Sequence, residues 1–212
     1  MNCHICDKPT VSFVHEKTGI HYYHCKGCEY IFKSPECYQS IEAQKERYDL
    51  HTNSEEDAGY IAYYHRFVDF ILPYLQSAKT ALDFGCGESL ILADIFNNMN
   101  IDTTYCDPIY HPIKSYDSKK YDIIVSTEVF EHLHDPKMTF SHLVNLLNDG
   151  GYLALQTQFH PNNEEAFKKW YYHKDPTHIV FFTAHTFRVL CELYGCSFVK
   201  DNAKNMVIIQ KV

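Results

Sequence analysis

The chain has 212 residues, 45% of them hydrophobic and 22% charged, and a formal net charge of −8. This composition is ordinary for a globular protein, the length suffices for one α/β domain with a small addition, and the negative charge disfavours a nucleic-acid partner. Because no apolar run is long enough to span a bilayer and the N-terminus lacks a secretory signal, we expect a cytoplasmic protein with no membrane association.

Two cysteine pairs open the chain, Cys3-x-x-Cys6 and Cys25-x-x-Cys28, with residues 7–24 between them. This double spacing is typical of a Cys₄ zinc ribbon, and nine cysteines in a reducing compartment do not indicate a disulfide framework. Four thiolates leave no open coordination position, so the predicted zinc is structural. The intervening segment, 11–23, is predicted to form a hairpin that turns at 17–19. We assign residues 1–38 to a zinc-ribbon module.

Helical spacing of apolar residues follows the ribbon, and we interpret 39–78 as a helical linker or cap. From residue 79, short apolar strands alternate with helices, a pattern that predicts a Rossmann-like α/β domain over 79–212. We expect a seven-stranded, mostly parallel sheet with helices on both faces and a lid around 159–182. The predicted strands are 80–84, 101–106, 113–116, 121–126, 152–157, 197–200 and 206–211, and two of the predicted helices are 136–147 and 184–194.

A glycine turn follows the first predicted strand, in the order Asp83-Phe-Gly85-Cys-Gly87. Such a turn lets a ligand approach the backbone, and both dinucleotides and S-adenosylmethionine use it. The third glycine of the dinucleotide pattern is missing, and Glu88 places a negative charge where a pyrophosphate would lie. Asp107, at the end of the second predicted strand, is placed to take both ribose hydroxyls. The pattern therefore favours S-adenosylmethionine, which is cationic and carries no phosphate.

Several segments resemble the successive motifs of class I S-adenosylmethionine-dependent methyltransferases. They are Ala-Leu-Asp-Phe-Gly-Cys-Gly at 81–87, the segment 121–136 with its Glu-Val-Phe-Glu-His core, Leu-Leu-Asn-Asp-Gly-Gly-Tyr-Leu at 146–153, and the segments 175–183 and 193–198. The ribbon resembles a module that a subset of this family carries, including sugar C-methyltransferases. One departure is Ser89, where the family often has a third glycine.

The resemblance implies a cofactor site. Its residues would be Asp83, Gly85, Cys86 and Gly87 at the methionine end, Asp107 at the ribose, and Thr127 and Glu128 beside the sulfonium.

The resemblance also suggests candidates for catalysis, namely Glu128, His132 and His178. Glu128, Glu131 and His132 have i, i+3 and i+4 spacing, which would put them on one face of a short helix. Quinone-biosynthesis O-methyltransferases and small-RNA 2′-O-methyltransferases share this spacing. In them it implies a divalent ion that binds the oxygen atoms of the acceptor. Alternatively, Glu131 and His132 orient the loop, or His132 transfers a proton.

His178 resembles the histidine of sugar C-methyltransferases, and a neutral imidazole suits proton abstraction near pH 7. The alternative is a structural, hydrogen-bonded histidine. Asp175 stands where those relatives often have a tyrosine, a departure from the sugar C-methyltransferase pattern.

The predicted function is methyl transfer from S-adenosylmethionine to an oxygen or carbon of a small-molecule acceptor. The alternative is an RNA or protein methyltransferase whose zinc ribbon docks the substrate, because Lys8, Lys17, Lys26 and Lys33 make the ribbon locally basic. A non-catalytic binding module is disfavoured by the intact glycine turn and Asp107.

Overall fold

A computed structural model describes residues 1–49 and 58–212. Its strands are β1 (Val11–His15), β2 (Ile20–His24), β3 (Ile31–Lys33), β4 (Thr80–Phe84), β5 (Asp102–Cys106), β6 (Tyr121–Thr127), β7 (Leu147–Gln156), β8 (Val180–Phe181), β9 (Cys196–Asp201) and β10 (Met206–Lys211). Its helices are α1 (Ile41–Tyr48), α2 (Ala58–Leu75), α3 (Ile91–Asn98), α4 (Pro136–Leu146), α5 (Glu164–Lys169) and α6 (Ala184–Tyr194).

The central sheet has the strand order β5-β4-β6-β7-β10-β9. The four strands from β5 to β7 run parallel, and β10 is antiparallel to both β7 and β9. This arrangement confirms the predicted α/β class with a mostly parallel, Rossmann-like sheet. It also brings the carboxyl ends of β4, β5, β6 and β7 to one edge, where ligands of open parallel sheets bind.

The alternating direction of side chains along the strands explains why helices cover both faces of the sheet. Ile123 and Val125 of β6 pack with α2 and α3, whereas Ile124 between them packs with α4 and α6. Successive side chains of a strand point to opposite faces, so a strand that is apolar throughout must be covered on both sides. The cluster on the α4 and α6 side continues into the ribbon through Tyr30 and Phe32.

Local capping sets the bounds of α4 and α6, which match the predicted helices closely. The Asp135 carboxylate accepts a hydrogen bond from the Met138 amide (2.8 Å), with Pro136 as the first helical residue. Thr183 forms a capping box at the start of α6, and Gly195 ends that helix in the left-handed region (φ 65°).

The prediction of a seventh strand at 113–116 is wrong. Residues Ser115–Ser118 form a 3₁₀ turn instead, and the described part of the central sheet has six strands. The segment lacks an apolar face that an edge strand could bury, because Ile113 and its neighbours Lys114 and Ser115 are exposed. Pro112, with no amide hydrogen, further disfavours strand pairing.

The hairpin predicted for the ribbon is confirmed, with Gly19 in the left-handed region (φ 70°) at its turn. A second sheet, in the order β1-β2-β3-β8, joins this hairpin to a strand of the lid segment, residues 159–182. In 39–78, helices α1 and α2 occupy described parts, and 50–57 lie outside the described residues. Across 1–49 and 58–212, no helix has both the length and the apolar content that a membrane crossing requires.

Candidate active site

The four predicted zinc ligands lie together in the ribbon. The Sγ atoms of Cys3, Cys6, Cys25 and Cys28 all lie within 4.8 Å of one another. Two of the pairs, Cys3–Cys28 and Cys6–Cys25, are 3.4 Å apart. Tetrahedral zinc with Zn–S bonds of about 2.3 Å needs sulfur atoms about 3.8 Å apart, so this donor set fits the ion.

Both cysteine knuckles share a backbone feature that we did not predict from the sequence. Asp7 (φ 60°) and Glu29 (φ 62°), each directly after the second cysteine of its pair, lie in the left-handed region. Matching geometry after Cys6 and Cys28 shows that the two knuckles are built alike. The signal was the equivalent placement of an acidic residue after each pair.

One cavity of about 860 Å³ lies at the carboxyl edge of the central sheet. The predicted site residues that line it are Gly85, Cys86, Gly87, Asp107, Thr127, Glu128, His132 and His178. Tyrosines from α2 and from the lid segment complete its walls, namely Tyr60, Tyr63, Tyr64, Tyr171 and Tyr172. The structure thus brings residues from all parts of the predicted site to one cavity.

The glycine turn leaves no space for a side chain at its first position. Gly85 (φ 76°) would place a Cβ atom 2.3 Å from Cγ2 of Val129, whereas Gly87 (φ 66°) would meet nothing within 4 Å. Both residues lie in the left-handed region, which glycine adopts at no steric cost. α3 begins at Ile91, so non-helical backbone continues from the turn through Leu90.

Asp107 holds the glycine turn through its own carboxylate. Its Oδ2 accepts a hydrogen bond from the Gly87 amide (3.2 Å), and its Oδ1 accepts from the amides of Ile109 (2.8 Å) and Tyr110 (3.0 Å). These bonds fix the carboxylate at the cavity wall between the ends of β4 and β5.

Asp83 is buried behind the turn and does not line the cavity. Burial, together with the nearby charge of Asp107, raises the pKa of Asp83 to about 7. Its Oδ1 has no hydrogen-bond partner among the described residues. A buried acid of this kind gains from an additional donor or a cation.

Two carboxyl groups follow β6, the partly buried Glu128 on the cavity wall and the fully buried Glu131 beside it. Glu128 accepts hydrogen bonds from the hydroxyls of Tyr63 (2.8 Å) and Tyr172 (2.7 Å), and the Tyr172 hydroxyl also contacts Oε1 of Glu131. Burial and the charge of Glu131 raise the pKa of Glu128 to about 8, and burial also raises the pKa of Glu131. One hydroxyl hydrogen cannot serve two carboxylates, so the pair requires a shared proton or a cation.

The turn that carries these groups differs from the predicted helix. Phe130–His132 form a single 3₁₀ turn, and Glu128 lies before it with φ 54°. A non-glycine residue in the left-handed region costs energy and is held by its surroundings, here by the bond from the Glu128 amide to the Gln156 carbonyl (2.8 Å).

Two imidazoles face Glu131. His132 donates from Nδ1 to the Thr177 carbonyl (3.0 Å), and His178 donates from Nδ1 to the Tyr172 carbonyl (2.8 Å). A carbonyl only accepts, so each ring carries its proton on Nδ1 and keeps a lone pair on Nε2. Burial lowers the pKa of both histidines, that of His178 to about 3, so both are neutral at pH 7.

One ligand atom from each of Glu131, His132 and His178 lies within 4.8 Å of the others, a group that could hold a metal ion. The metal group predicted from the sequence contained Glu128 together with Glu131 and His132. In the structure, His178 takes the place of Glu128 in this group. The second oxygen of Glu131, Oε2, is buried with no hydrogen-bond partner among the described residues. Two imidazoles and a carboxylate are suitable ligands for a divalent transition-metal ion. The positive charge of such an ion would also offset the negative charge of the carboxylates.

Sequence reasoning missed the roles of Tyr63 and Tyr172, which hydrogen-bond the carboxyl pair. Tyr172 is also in ring contact with His178 (centroids 4.0 Å apart). Both tyrosines belong to runs of aromatic residues, and these runs were the sequence feature that could have indicated a role at the cavity.

One of the ribbon lysines behind the docking alternative is not on the surface. Lys33 is buried, and its Nζ donates to the Asp175 carbonyl (3.0 Å). Lys26 contacts the ring of His24 (Nζ to Nδ1, 2.9 Å). The basic character of the ribbon surface is therefore smaller than its lysine count suggested.

Solved structures share the fold at low sequence identity. An S-adenosylmethionine-dependent methyltransferase from Archaeoglobus fulgidus is 15% identical, with a TM-score of 0.53 over 82% of this chain and 100% of that one. The plantazolicin methyltransferase BpumL, solved with a substrate analogue and S-adenosylhomocysteine, is 11% identical, with a TM-score of 0.54 over 81% of this chain and 91% of that one.

The mitomycin 7-O-methyltransferase MmcR is 12% identical, with a TM-score of 0.51 over 77% of this chain. The chain spans 62% of the length of that enzyme. No curated protein matches the sequence.

Residues 56–200, more than half of the chain, match the methyltransferase domain family. The match covers the glycine turn, Asp107 and the carboxyl–imidazole cluster, which lie around one cavity. The chain therefore belongs to the methyltransferase domain family.

Proposed function

We propose that this enzyme transfers the methyl group of S-adenosylmethionine to an oxygen or carbon of a small-molecule acceptor. The observation that carries the proposal is the cavity of about 860 Å³ between the glycine turn and the lid segment. Pockets for cofactors and small ligands are of this size and are walled by aromatic side chains with a few placed polar groups.

In this proposal the cofactor lies along the carboxyl ends of β4 and β5. Gly85, Cys86 and Gly87 approach the methionine end, and Asp107 takes the ribose hydroxyls. The charge of Asp83 acts on the cofactor ammonium from behind the turn, where its unpartnered oxygen is available. Thr127 and Glu128 then border the sulfonium.

Cofactor affinity should fall as the pH drops below 7. The carboxylate form of Asp83 attracts the ammonium, so binding lowers the raised pKa of Asp83 and releases a proton. At pH 6 we expect binding of S-adenosylhomocysteine to be about tenfold weaker than on the plateau above pH 7, measured by calorimetry. Asp83→Asn should flatten this dependence, and a wild-type affinity equal at pH 6 and 7.5 would show that Asp83 does not act on the ligand.

The acceptor side of the cavity lies between Glu128, the two imidazoles and the lid tyrosines. Methyl transfer forms a bond from the acceptor to carbon as the C–S bond breaks, so alignment of the acceptor is the main task of the protein. The names of two relatives of the same fold, mitomycin 7-O-methyltransferase and plantazolicin methyltransferase, support an acceptor of modest size.

An isotope-transfer experiment tests the acceptor class. The enzyme would be incubated with methyl-labelled S-adenosylmethionine and a cell extract divided into small molecules, RNA and protein. We expect label in the small-molecule fraction. Label in RNA or protein alone would reject this acceptor class in favour of the corresponding macromolecule.

We further propose that Glu131, His132 and His178 hold a divalent ion that would bind an acceptor oxygen. Such an ion would act as a Lewis acid and lower the pKa of a bound hydroxyl, which removes the need for a strong base. A neutral imidazole whose Nδ1 hydrogen is bound by a carbonyl has its Nε2 oriented by that bond, which is the arrangement of metal-ligating histidines. The low pKa of His178 favours this role over that of a proton acceptor.

Manganese binding tests this second site. In the zinc-loaded protein, electron paramagnetic resonance should detect one tightly bound Mn²⁺ per chain. Glu131→Gln and His178→Gln should each weaken that binding by about a hundredfold, since each removes a direct ligand. His142→Gln, which changes a partly exposed histidine outside the cluster, is the matched control. If wild type and both variants bind Mn²⁺ alike, the cluster is not the metal site.

A further inference from the structure

Lys33 is a lysine in a fully buried three-residue strand of the ribbon. Its amide donates to the Ile179 carbonyl (2.8 Å), and its side-chain Nζ donates to the Asp175 carbonyl (3.0 Å). The pairing of β3 with β8 continues this contact through Phe32 opposite Val180. One ribbon residue therefore binds both ends of the loop 175–179, which we name the histidine loop.

The histidine loop is tied internally through Asp175. The Oδ1 atom of Asp175 accepts from the amide (2.9 Å) and the hydroxyl (2.7 Å) of Thr177, and its Oδ2 accepts from Arg47 (3.0 Å). The Asp175 carbonyl, which accepts from Lys33, also accepts from the amide of His178 (3.3 Å).

The same loop orients both imidazoles of the cluster. Its Thr177 carbonyl accepts the Nδ1 hydrogen of His132, and His178 is itself a loop residue. The Ile179 amide donates to the Glu131 carbonyl (2.8 Å), which fixes the loop against the turn that carries His132. A displacement of the loop would move both rings and Glu131 together.

We propose that Lys33 is a positioning residue of the acceptor site, through which the zinc ribbon holds the histidine loop and thereby orients His132 and His178. The inference rests on the proposed acceptor site, and it gives the ribbon a task inside the enzyme rather than in substrate docking. Burial of an ammonium group costs free energy unless its donors are used, and here one serves the loop carbonyl.

Lys33→Met tests the inference because it keeps most of the side-chain volume and removes the donor. We expect zinc content and S-adenosylhomocysteine affinity to remain at wild-type values. We expect Mn²⁺ affinity to fall about tenfold or more, as when an outer partner of a metal ligand is lost. Imidazole ¹⁵N spectra should show loss of the fixed Nδ1–H form at His132 and His178. Lys17→Met, at an exposed position in the ribbon hairpin, is the matched control and should change none of these.

A second substitution keeps the inference testable if Lys33→Met does not fold. Lys33→Arg retains a donor, so it should preserve the Nδ1–H signals at least in part. The inference is overturned if Lys33→Met binds zinc and S-adenosylhomocysteine normally and leaves the imidazole spectra unchanged. Failure of the proposed function has a different signature, because the wild type would then not bind S-adenosylhomocysteine. The imidazole spectra test the Lys33 contact whether or not Mn²⁺ binds.

Discussion

Gly85→Ala should abolish cofactor binding and lower the free energy of unfolding by about 3 kcal/mol, the upper range for overpacking a filled site. The new Cβ would lie 2.3 Å from Cγ2 of Val129, and the backbone at Gly85 has φ 76°. Relief of the clash would have to move either the turn or the start of the Glu128 segment, and both border the cavity. Calorimetry with S-adenosylhomocysteine and urea denaturation measure the two effects.

Gly87→Ala is the matched control for this clash. Its φ of 66° is equally left-handed, but an added Cβ meets nothing within 4 Å. We expect a loss of about 1 kcal/mol from backbone strain alone. Adding Val129→Ala should restore part of the stability to the Gly85 variant and little to the Gly87 variant. Equal losses for the two glycine variants, with no rescue, would refute the proposed contact with Val129.

Removal of the zinc ion that we expect in the cysteine tetrad should loosen the lid segment together with the ribbon. Structural zinc in zinc-finger peptides contributes on the order of 10 kcal/mol, comparable to the whole stability of a typical domain. Cys25→Ser removes one of four ligands, so we expect loss of about one zinc ion per chain and unfolding of the hairpin.

The lid should respond because it shares a sheet and a core with the ribbon. β3 pairs with β8, and Phe13, Tyr22 and Ile31 of the ribbon pack with Phe167, Tyr172 and Phe181 of the lid. Hydrogen exchange should therefore quicken in 164–182 more than in 80–106. Cys37→Ser, a partly buried cysteine outside the tetrad, should retain both zinc and lid protection. Lid exchange that stays slow after zinc loss would show that the ribbon does not hold the lid.

Local patterns sufficed to predict most of the fold. The alternation of apolar residues and the caps of α4 and α6 are determined within a few residues, so their bounds could be predicted closely. The prediction of a strand at 113–116 was wrong, because a segment this short, with apolar side chains only at its two ends, does not reveal whether it pairs with a sheet edge. Pairing between β3 and β8 joins residues about 150 positions apart and has no local signal.

The site was predictable where a motif lies at the end of one strand. Gly85, Gly87 and Asp107 follow directly from strand ends, and the structure brings them to one cavity. Replacement of Glu128 by His178 in the potential metal group depends on the histidine loop, a tertiary contact that spacing along the chain does not encode. The burial of Lys33 has no local signal for the same reason, since its side chain contacts the Asp175 carbonyl, 142 residues further along the chain.

The most direct test of the central claim is a calorimetric titration of the zinc-loaded protein with S-adenosylhomocysteine at pH 7.5. The structure predicts one binding site per chain with micromolar affinity, and a loss of about a hundredfold in Asp107→Ala, which removes the ribose contact and the bonds that hold the glycine turn. No detectable heat with folded wild-type protein, or an unchanged affinity in Asp107→Ala, would contradict the assignment of this cavity to the cofactor.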